Sequence, residues 1–308
     1  MNNNWIKKNL LIKPNKDFFW MESHVGSSFI YFHNNNNQFT IYISGRNRHN
    51  QSTIGKALGK FSKDKLLIDN IENMPIFDLG EVGCFDESGV SYPWLVFEND
   101  RVLMYYVGWV AGGIAGFQNY IGLAISFDNG KTFTRKSKAP ILGRTNEEPF
   151  GTGSCAVIKT KIGYEMLYTS FNNWRDSNKE DRKFKPTYDL KYAKSLDGVN
   201  WERNNYVSIK LKNKESAICK ASIITQDKLF KVWYSYRGSS YRIGYSEGKS
   251  LMSLERKDSE TNISVSSNGW DSEMMEYSHV AICNGYEIMI YNGNNFGQTG
   301  LGYAIRKI

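Results

Sequence analysis

Residues 83–97 read GCFDESGVSYPWLVF, residues 101–109 read RVLMYYVGW, and residues 119–136 read NYIGLAISFDNGKTFTRK. Each stretch is apolar or alternating over the length of a short strand and is bounded by Gly, Asn, Asp or Ser, which predicts neighbouring strands of one antiparallel sheet. Asp86 stands at the entrance of the first strand and Trp109 at the end of the second. The third strand leads into an S-x-D-x-G-x-x-F turn at residues 126–133, where we expect Asp and Gly to serve turn chemistry.

Weaker copies of this unit recur along the chain. Segments that match the third strand are STIGKALGK (52–60), DLKYAKSLDG (189–198), YRIGYSEGKS (241–250) and GLGYAIRK (300–307). Segments that match the second strand precede them: FTIYISGR (39–46), EMLYTSFNNW (165–174), LFKVWYSYRG (229–238) and YEIMIYNGN (286–294). Five units at a spacing of roughly 50 to 70 residues predict an all-β fold, a five-bladed β-propeller, whose innermost strands line a central funnel.

The outermost strand of a unit carries an aromatic-x-basic pattern, as in Phe133-Thr134-Arg135 and Trp201-Glu202-Arg203. The fifth unit stops at Ile308 without this strand, and the missing pattern stands at the other end of the chain as Trp5-Ile6-Lys7. Because an open sheet edge is a liability, we expect the N-terminal strand to complete the last blade and close the ring. The chain is then a single propeller domain over residues 1–308.

The composition favours a folded β-protein with a basic surface. The chain has 308 residues, 41% of them hydrophobic, with 19 Tyr, 17 Phe and 8 Trp against 6 Pro, and large rings suit a pleated sheet. The net charge of +8 indicates either an anionic partner or a lysine-rich surface. No basic run is interleaved with stacking aromatics, so we expect no nucleic-acid partner.

The cysteines and the chain ends indicate a location. Cys84, Cys155, Cys219 and Cys283 are widely spaced without a zinc pattern, which is typical of buried reduced thiols. The N-terminus has no apolar stretch of signal-peptide length, and no run of 18 apolar residues occurs. We therefore expect a soluble cytoplasmic protein with no membrane span. Its oligomeric state is left open.

Carboxylates recur at the entrances of the predicted inner strands: Glu22, Asp86, Glu148 with its neighbour Glu147, Glu215 and Glu273. Carboxylates brought together around a funnel shift one another's pKa values apart, which leaves one protonated and another ionised. Cleavage of a glycosidic bond needs such a pair, about 5 Å apart for retention or about 6.5–9.5 Å apart for inversion. We therefore predict these residues as the catalytic set, with Asp86 and Glu148 as the acid and base.

Aromatic, basic and amide side chains at the same mouth are the predicted substrate-binding set. These residues are His24, Arg46, Trp109, Trp174, Arg237, Tyr277, His279 and Asn292. Aromatic platforms with Arg and Asn suit a sugar ring that carries hydroxyls and an anionic group. His24 and His279 with nearby glutamates could bind a metal, but no tight ligand spacing supports it, so we predict hydrogen bonding to substrate, no metal and no cofactor.

The motifs SHVGS, FDESGVSYP, YYVGW, IGLAISFDNGKTF, YRIGYSE, GWDSEM and YNGNNFG resemble a group of bacterial glycosidase-like propeller proteins associated with surface-polysaccharide or nucleotide-sugar gene clusters. The blade pattern also resembles glycoside hydrolase families 32, 43, 62 and 68 and the related family 130 phosphorylases. This resemblance implies that Asp86 matches the catalytic Asp of blade two and that Glu147 or Glu148 matches the general acid of blade three. Where those enzymes carry a blade-one Asp, this chain has Glu22-Ser23-His24.

Three functions follow as hypotheses. The first is a glycoside hydrolase-like or glycosyl-transferring enzyme that acts on a surface polysaccharide or an activated sugar by carboxylate acid/base catalysis. The second, which the missing blade-one Asp allows, is a non-catalytic binding module for an anionic sugar or a sugar nucleotide. The third is a scaffold for protein partners, which predicts an exposed apolar patch on one face.

Overall fold

The computed structural model describes residues 4–33, 37–178 and 183–308. Their secondary structure is almost entirely β, with twenty strands, one 3₁₀ turn at Asp258–Glu260 and one short helix at Asn294–Gly297. The predicted all-β class is therefore confirmed. In the part of the chain that is described, no helix is long and apolar enough to cross a membrane.

The strands form antiparallel meanders of four, which we call units one to five. Strand β1 (Ile6–Ile12) precedes unit one, which contains β2 (His24–Phe32), β3 (Gln38–Arg46), β4 (Ser52–Ser62) and β5 (Lys65–Ile71). Unit two contains β6 (Gly89–Phe97), β7 (Val102–Ala111), β8 (Phe117–Ser126) and β9 (Thr134–Arg135). Unit three contains β10 (Thr152–Lys159), β11 (Tyr164–Asn178), β12 (Lys183–Ser195) and β13 (Glu202–Ile209).

Unit four contains β14 (Ala217–Gln226), β15 (Leu229–Arg237), β16 (Tyr241–Gly248) and β17 (Glu255–Arg256). Unit five contains β18 (Glu276–Cys283), β19 (Tyr286–Asn292) and β20 (Leu301–Lys307), and β1 pairs antiparallel with β20 as its fourth strand. Single parallel pairs link unit one to unit two, at Ser52 and Gly89, and unit three to unit four, at Tyr188 and Ala217.

The first strands of the units lie at the centre. They contact one another in cyclic order, from β2 through β6, β10, β14 and β18 and back to β2. Each has one break in its register with the second strand, and in four of them a side-chain-bearing residue adopts a left-handed backbone at that break. These residues are Ser27 (φ 46°), Tyr92 (φ 55°), Lys220 (φ 51°) and Tyr277 (φ 54°). A left-handed conformation is costly for such residues, so the surrounding sheet must enforce it.

The aromatic residue of the aromatic-x-basic pattern packs units two and three onto the preceding unit. The ring of Phe133 lies 6.2 Å from that of Tyr42, the ring of Trp201 lies 5.9 Å from that of Tyr105, and both pairs are edge-to-face. Such pairs add to the free energy gained by burying the rings. The N-terminal strand follows the same rule, because Trp5 packs edge-to-face against Trp233 of unit four at 6.1 Å.

The basic residue of the same pattern binds a buried carboxylate at the start of its own unit. In unit two, Asp86 Oδ2 accepts hydrogen bonds from Arg135 Nε at 2.7 Å and from Tyr106 Oη at 3.0 Å. In unit three, Glu148 lies 3.1 Å from Arg203 and accepts a hydrogen bond from Tyr168.

Unit five repeats this arrangement, and unit four has related contacts in which the carboxylate, Asp258, follows the outermost strand β17. Asp258 pairs with Arg256 at 2.6 Å and accepts a hydrogen bond from Tyr234. Asp271 pairs with Lys7 at 2.5 Å and accepts a hydrogen bond from Tyr291. These carboxylates therefore connect the second and outermost strands of a unit.

The S-x-D-x-G turn at residues 126–133 forms as expected, and the one-residue-shorter turn that begins at Ser195 makes similar hydrogen bonds. Asp128 Oδ1 accepts hydrogen bonds from the amides of Lys131 and Thr132, and Asp197 Oδ1 accepts them from Val199 and Asn200. Three of the cysteines are buried free thiols and Cys84 is partly buried.

Candidate functional site

A cavity of about 850 Å³ opens at one end of the first strands. Its floor includes residues at the register breaks, among them Ser27, Tyr92 and Tyr277, together with Cys219, which precedes the break in β14. The left-handed backbone at these breaks turns side chains towards the cavity that a regular strand would direct elsewhere. The register breaks therefore form the floor of the site.

Two long hairpins form much of the wall. The β7–β8 hairpin contributes Trp109 and Phe117, and the β11–β12 hairpin contributes Phe171. The ring centroid of Phe117 lies 6.2 Å from that of Phe171 and 5.0 Å from that of Trp174. These edge-to-face contacts hold the two hairpins together and present an aromatic surface to the cavity.

The charged groups on the cavity wall are cationic. Five basic or imidazole side chains line it: His24, Arg46, Arg175, Lys185 and Arg237. Among the described residues that line the cavity there is no Asp or Glu. Burial, with the Arg46 guanidinium nearby, lowers the pKa of His24 to about 4, so His24 is neutral at pH 7. The positive potential therefore comes from the three arginines and Lys185.

Arg237 is the most firmly positioned of these cations. Its Nε donates to Ser216 Oγ at 2.9 Å and one terminal nitrogen donates to the Pro186 carbonyl at 3.2 Å. Its guanidinium lies 5.3 Å from the ring centroid of Tyr241 and 5.8 Å from that of Tyr188. A guanidinium fixed in this way keeps donor positions for a planar anion at a low cost in side-chain entropy.

Most of the predicted substrate-binding residues come together in this cavity. His24, Arg46, Trp109, Arg237, Tyr277 and Asn292 all line it. Trp174 lies behind the wall, against Phe117 and Phe171. His279 is buried among Phe29 and Trp94, and its Nδ1 accepts a hydrogen bond from the Ile30 amide at 3.3 Å. His24 and His279 therefore do not share a surface for substrate.

The predicted catalytic carboxylates do not converge on the cavity, which corrects the expected carboxylate ring. Asp86 and Glu148 are buried in the ion pairs described above, and Glu215 forms a two-pronged pair with Arg256 at 2.9 Å for both contacts. Glu22 Oε2 accepts a hydrogen bond from the Arg48 amide, and Glu273 is exposed.

The physical reason is the position of each acid before its first strand. The acidic residue there meets the Tyr and the Arg of its own unit and not the funnel, as Asp86 and Glu148 show. In unit one, the corresponding pair Trp20-Met21 is apolar and fully buried, so Met21 takes the place of the acid. Glu22 is therefore not the counterpart of Asp86.

Two buried ionisable side chains near the floor stand at strand entrances in the sequence but were not among the predicted catalytic or substrate-binding residues. Glu276 opens β18 and Lys220 lies at the register break of β14, and both are fully buried. Among the described residues, the two carboxylate oxygens of Glu276 have no hydrogen-bond partner, and the Nζ of Lys220 has none either. Burial raises the pKa of the Cys219 thiol to about 12, and Glu276 and Lys220 both interact with this thiol electrostatically.

Burial sets the charge of both groups. It raises the pKa of Glu276 well above its usual range, despite the Arg237 guanidinium nearby, and it lowers the pKa of Lys220 to about 8. The described residues contain no cluster of three His, Cys, Asp or Glu side chains that could hold a metal.

Known proteins share both the sequence and the fold. No protein-family model matches the chain. Two proteins of Mycobacterium tuberculosis, the uncharacterized protein MT1551 of strain CDC 1551 / Oshkosh and the uncharacterized protein Rv1502 of strain H37Rv, are each 31% identical over 302 residues, which covers 98% of both sequences.

Solved structures with the same fold share little sequence. BT0996, in a complex with RGII, has a TM-score of 0.75 at 14% identity, and the match covers 99% of the present protein and 92% of BT0996. A structure from the GH130 family of mannoside phosphorylases, described as containing glycoside hydrolases that target β-1,2 mannosidic linkages in Candida mannan, has a TM-score of 0.74 at 14% identity over 99% and 94%.

A thermostable family-43 glycoside hydrolase has a TM-score of 0.68 at 13% identity, and the match covers 92% of the present protein and 89% of the hydrolase. At identities this low, the solved structures show only that the fold is shared. The mycobacterial relatives, in contrast, match the sequence over almost its whole length. The protein thus has the fold of the glycoside hydrolase-like propeller proteins and belongs to the family of MT1551 and Rv1502.

Proposed function

We propose that the protein binds an anionic saccharide, such as a sugar bearing a phosphate, sulfate or carboxylate group or a sugar nucleotide, in the central cavity. The observation that carries this proposal is the charge of the wall: three arginines and Lys185 line it, and no described carboxylate does. A wall of one charge sign raises the local concentration of oppositely charged ligands and strengthens their binding.

The aromatic surface supports a saccharide as the ligand. Tyr, Phe and Trp rings stand between the cationic side chains, and hydroxyl and amide groups such as Ser91 and Asn292 lie beside them. Sugar rings stack their C–H faces on aromatic rings and exchange hydrogen bonds through their hydroxyls, which suits such a mixed wall. A volume of about 850 Å³ is large enough for a disaccharide or a sugar nucleotide.

The anchor of the anion is Arg237, with Arg46 of another unit as a second contact. Arg46 ends β3 of unit one and Arg237 ends β15 of unit four, so the two occupy equivalent places in two units. Guanidinium groups bind carboxylate, phosphate and sulfate oxygens in a two-pronged geometry. Lys220, buried just beneath the floor, adds positive charge below pH 8.

Calorimetric titration with glucose 6-sulfate, glucuronate and unmodified glucose tests this proposal. We expect the two anionic sugars to bind at least about tenfold more tightly than glucose, because a hydrogen-bonded charge contact contributes about 1.5–3 kcal/mol. Arg237→Met and Arg46→Met should each weaken the anionic sugars by about tenfold or more and leave glucose almost unchanged.

The matched control is Lys249→Met, which removes one exposed positive charge. Lys249 follows the last residue of β16, whereas the cavity-lining Tyr241 begins that strand. This variant should bind every sugar as the wild type does. Equal affinity of glucose and the anionic sugars, or no binding of any of them, would contradict the proposal.

The architecture that holds this cavity is, we propose, a single five-bladed propeller closed by β1. The cyclic contacts of the first strands and the pairing of β1 with β20 support this arrangement. The contacts of Trp5 and Lys7 support it too, because they match those of the outer strands in units two and three.

Hydrolysis of a glycosyl bond by Asp86 and Glu148 is the alternative that the fold suggests. It is less well supported, because both carboxylates are engaged by arginines and tyrosines away from the cavity wall. Once a sugar that binds is known, Asp86→Asn decides between the two: an acid/base role predicts loss of turnover at unchanged stability, whereas a structural role predicts a lower melting temperature at unchanged affinity.

A further inference from the structure

Phe296 is the most exposed of the described aromatic side chains that line the cavity. It is 46% exposed, whereas every other described aromatic residue on the wall is buried or half-buried. Two of those other rings belong to the wall itself, since Trp109 Nε1 donates to Ser52 Oγ at 2.9 Å and Phe117 packs against two neighbouring rings. Phe296 therefore keeps ring surface that the protein's own packing leaves uncovered.

The backbone that carries this ring is strained. Asn295 and Phe296, between β19 and β20, are consecutive left-handed residues with φ of 53° and 60°. Asn tolerates this conformation because its side chain can form local hydrogen bonds, whereas the phenyl side chain of Phe cannot offset the cost in that way. Strained residues of this kind cluster at ligand-binding sites, where the strain fixes a side chain in its functional orientation.

Contacts on both sides of the strained pair hold it in place. On one side, the buried Asn294 accepts a hydrogen bond through Oδ1 from the Glu273 amide at 2.8 Å. On the other side, Gly297 (φ 90°) approaches β2 so closely that a Cβ at this position would lie 2.2 Å from the Val25 carbonyl oxygen. The ring of Phe296 is therefore presented to the cavity from an anchored segment.

The same tyrosine connects Phe296 to the anion-binding guanidinium. The Phe296 ring centroid lies 6.1 Å from that of Tyr241, in an edge-to-face contact, and the Arg237 guanidinium lies 5.3 Å from the Tyr241 centroid. Tyr241 is buried and hydrogen-bonded to Tyr188, which fixes its orientation. Because Phe296 and Arg237 both lie against one ring, a single sugar unit that carries an anionic group can contact both.

We propose that Phe296 binds the apolar face of the sugar whose anionic group Arg237 binds, and that it thereby selects a saccharide over a bare anion. This inference rests on the proposed function and adds a specificity-determining residue to it. A pyranose with equatorial hydroxyls presents C–H groups on its faces, and such a face is apolar enough to be driven onto an exposed phenyl ring. Arg237 supplies attraction to any anion, whereas Phe296 contributes only when a sugar ring is attached to it.

Titration calorimetry with glucose 6-sulfate and methyl sulfate separates the sugar ring from the anion, because both ligands carry one negative charge. The wild type should bind glucose 6-sulfate more tightly than methyl sulfate. Phe296→Ala should weaken glucose 6-sulfate by about fivefold, since an apolar area on the order of 40 Å² then stays in water, and should leave methyl sulfate unchanged. Arg237→Met should weaken both ligands by about tenfold.

Three further variants separate the ring from folding and from surface exposure. Phe296→Gly suits the left-handed backbone, so it should be more stable than Phe296→Ala and yet bind glucose 6-sulfate as weakly. Phe296→Trp keeps an aromatic face and should bind as the wild type does. Phe127→Ala removes a phenyl ring that is 78% exposed in the turn after β8, and it should leave both affinities unchanged.

Proton NMR of the bound sugar gives an independent readout. A phenyl ring shifts the C–H protons stacked on it upfield, so this shift should be present with the wild type and absent with Phe296→Leu, which keeps an apolar side chain without a ring. Equal affinity of the wild type and Phe296→Ala for glucose 6-sulfate, or the same sugar shifts with the wild type and Phe296→Leu, would overturn this inference and leave anion binding intact. Failure of both ligands to bind would overturn the proposed function itself.

Discussion

Lys7 Nζ lies 2.5 Å from Asp271 Oδ2 and thereby ties the N-terminal strand to the segment that enters unit five. Arg135 has the same relation to Asp86 in unit two, and Arg203 has it to Glu148 in unit three. In those units the basic residue and its acid lie within one continuous stretch of chain. In unit five the basic residue, Lys7, lies near the N-terminus of the protein, and its acid, Asp271, lies in the last part of the sequence. This ion pair therefore stabilises the contact between the N-terminal strand and unit five.

Removing one partner of this pair should destabilise the whole domain. Asp271 is buried and also accepts a hydrogen bond from Tyr291, so Lys7→Met leaves a carboxylate without its cation. We expect Lys7→Met to lower the free energy of unfolding by about 3 kcal/mol, which is the order of cost for breaking a buried pair. Urea denaturation followed by tryptophan fluorescence measures it.

The matched control is the exposed pair of Lys138 and Glu81, which also joins a lysine to a carboxylate at 2.7 Å. Lys138→Met should leave the denaturation midpoint unchanged, because solvent and salt screen such a pair. Equal effects of Lys7→Met and Lys138→Met would mean that the N-terminal strand does not stabilise the domain.

Trp5 provides a second test of how the N-terminal strand is attached, because it contributes apolar packing and not an ion pair. It is 6% exposed, lies against Trp233 and has the guanidinium of Arg306 4.6 Å from its ring centroid. Trp5→Ala should cost about 3–5 kcal/mol of stability, as large-to-small changes in a core do.

The neighbouring Ile6→Ala is the control for the Trp5 variant. Ile6 belongs to β1 but is 59% exposed, so we expect a change within about 0.5 kcal/mol. Thermal and urea unfolding of both variants give the comparison. A loss of stability in Ile6→Ala as large as that in Trp5→Ala would contradict the assignment of the buried face at this end of the chain.

The pattern of strands was accessible from sequence, because it depends on periodicity and turn residues that are local. The pairing of the N-terminal strand was accessible for a similar reason: Trp5-Ile6-Lys7 repeats the pattern of Trp201-Glu202-Arg203. The acid that pairs with the basic residue could not be predicted, because Asp86 and Arg135 are 49 residues apart. In addition, a position at a strand entrance does not define on which side of the sheet a carboxylate lies.

The floor of the cavity was inaccessible for a different reason. It depends on left-handed backbone at Tyr92, Lys220 and Tyr277, which are residues that sequence patterns place in extended strands. One such residue changes the direction of its neighbours, so strand alternation does not predict which side chains reach the floor. Arg46, Arg237 and Asn292 were accessible because they end regular second strands, whose register was predictable.

Lys220 makes a prediction about stability and pH. Its Nζ lies 5.6 Å from the ring centroid of Trp94, and burial lowers its pKa from 10.5 to about 8. The folded protein therefore loses this proton at a lower pH than the unfolded chain does. Between pH 8 and pH 10.5 the unfolded state binds more protons, so this residue's contribution to stability rises with pH across that window. Below pH 8 the buried ammonium costs about 3 kcal/mol, from 1.36 kcal/mol per pKa unit.

Lys220→Met should therefore raise the free energy of unfolding at pH 7, by up to about 3 kcal/mol, since Met is unbranched and of similar length. The gain should shrink towards zero as the pH rises from 8 to 10.5. Lys220→Arg, which stays charged, should be less stable than the wild type, with a deficit that widens over the same range. Urea denaturation at a series of pH values measures all three proteins. A loss of stability in Lys220→Met at pH 7 would show instead that the ammonium has a favourable partner at the cavity floor.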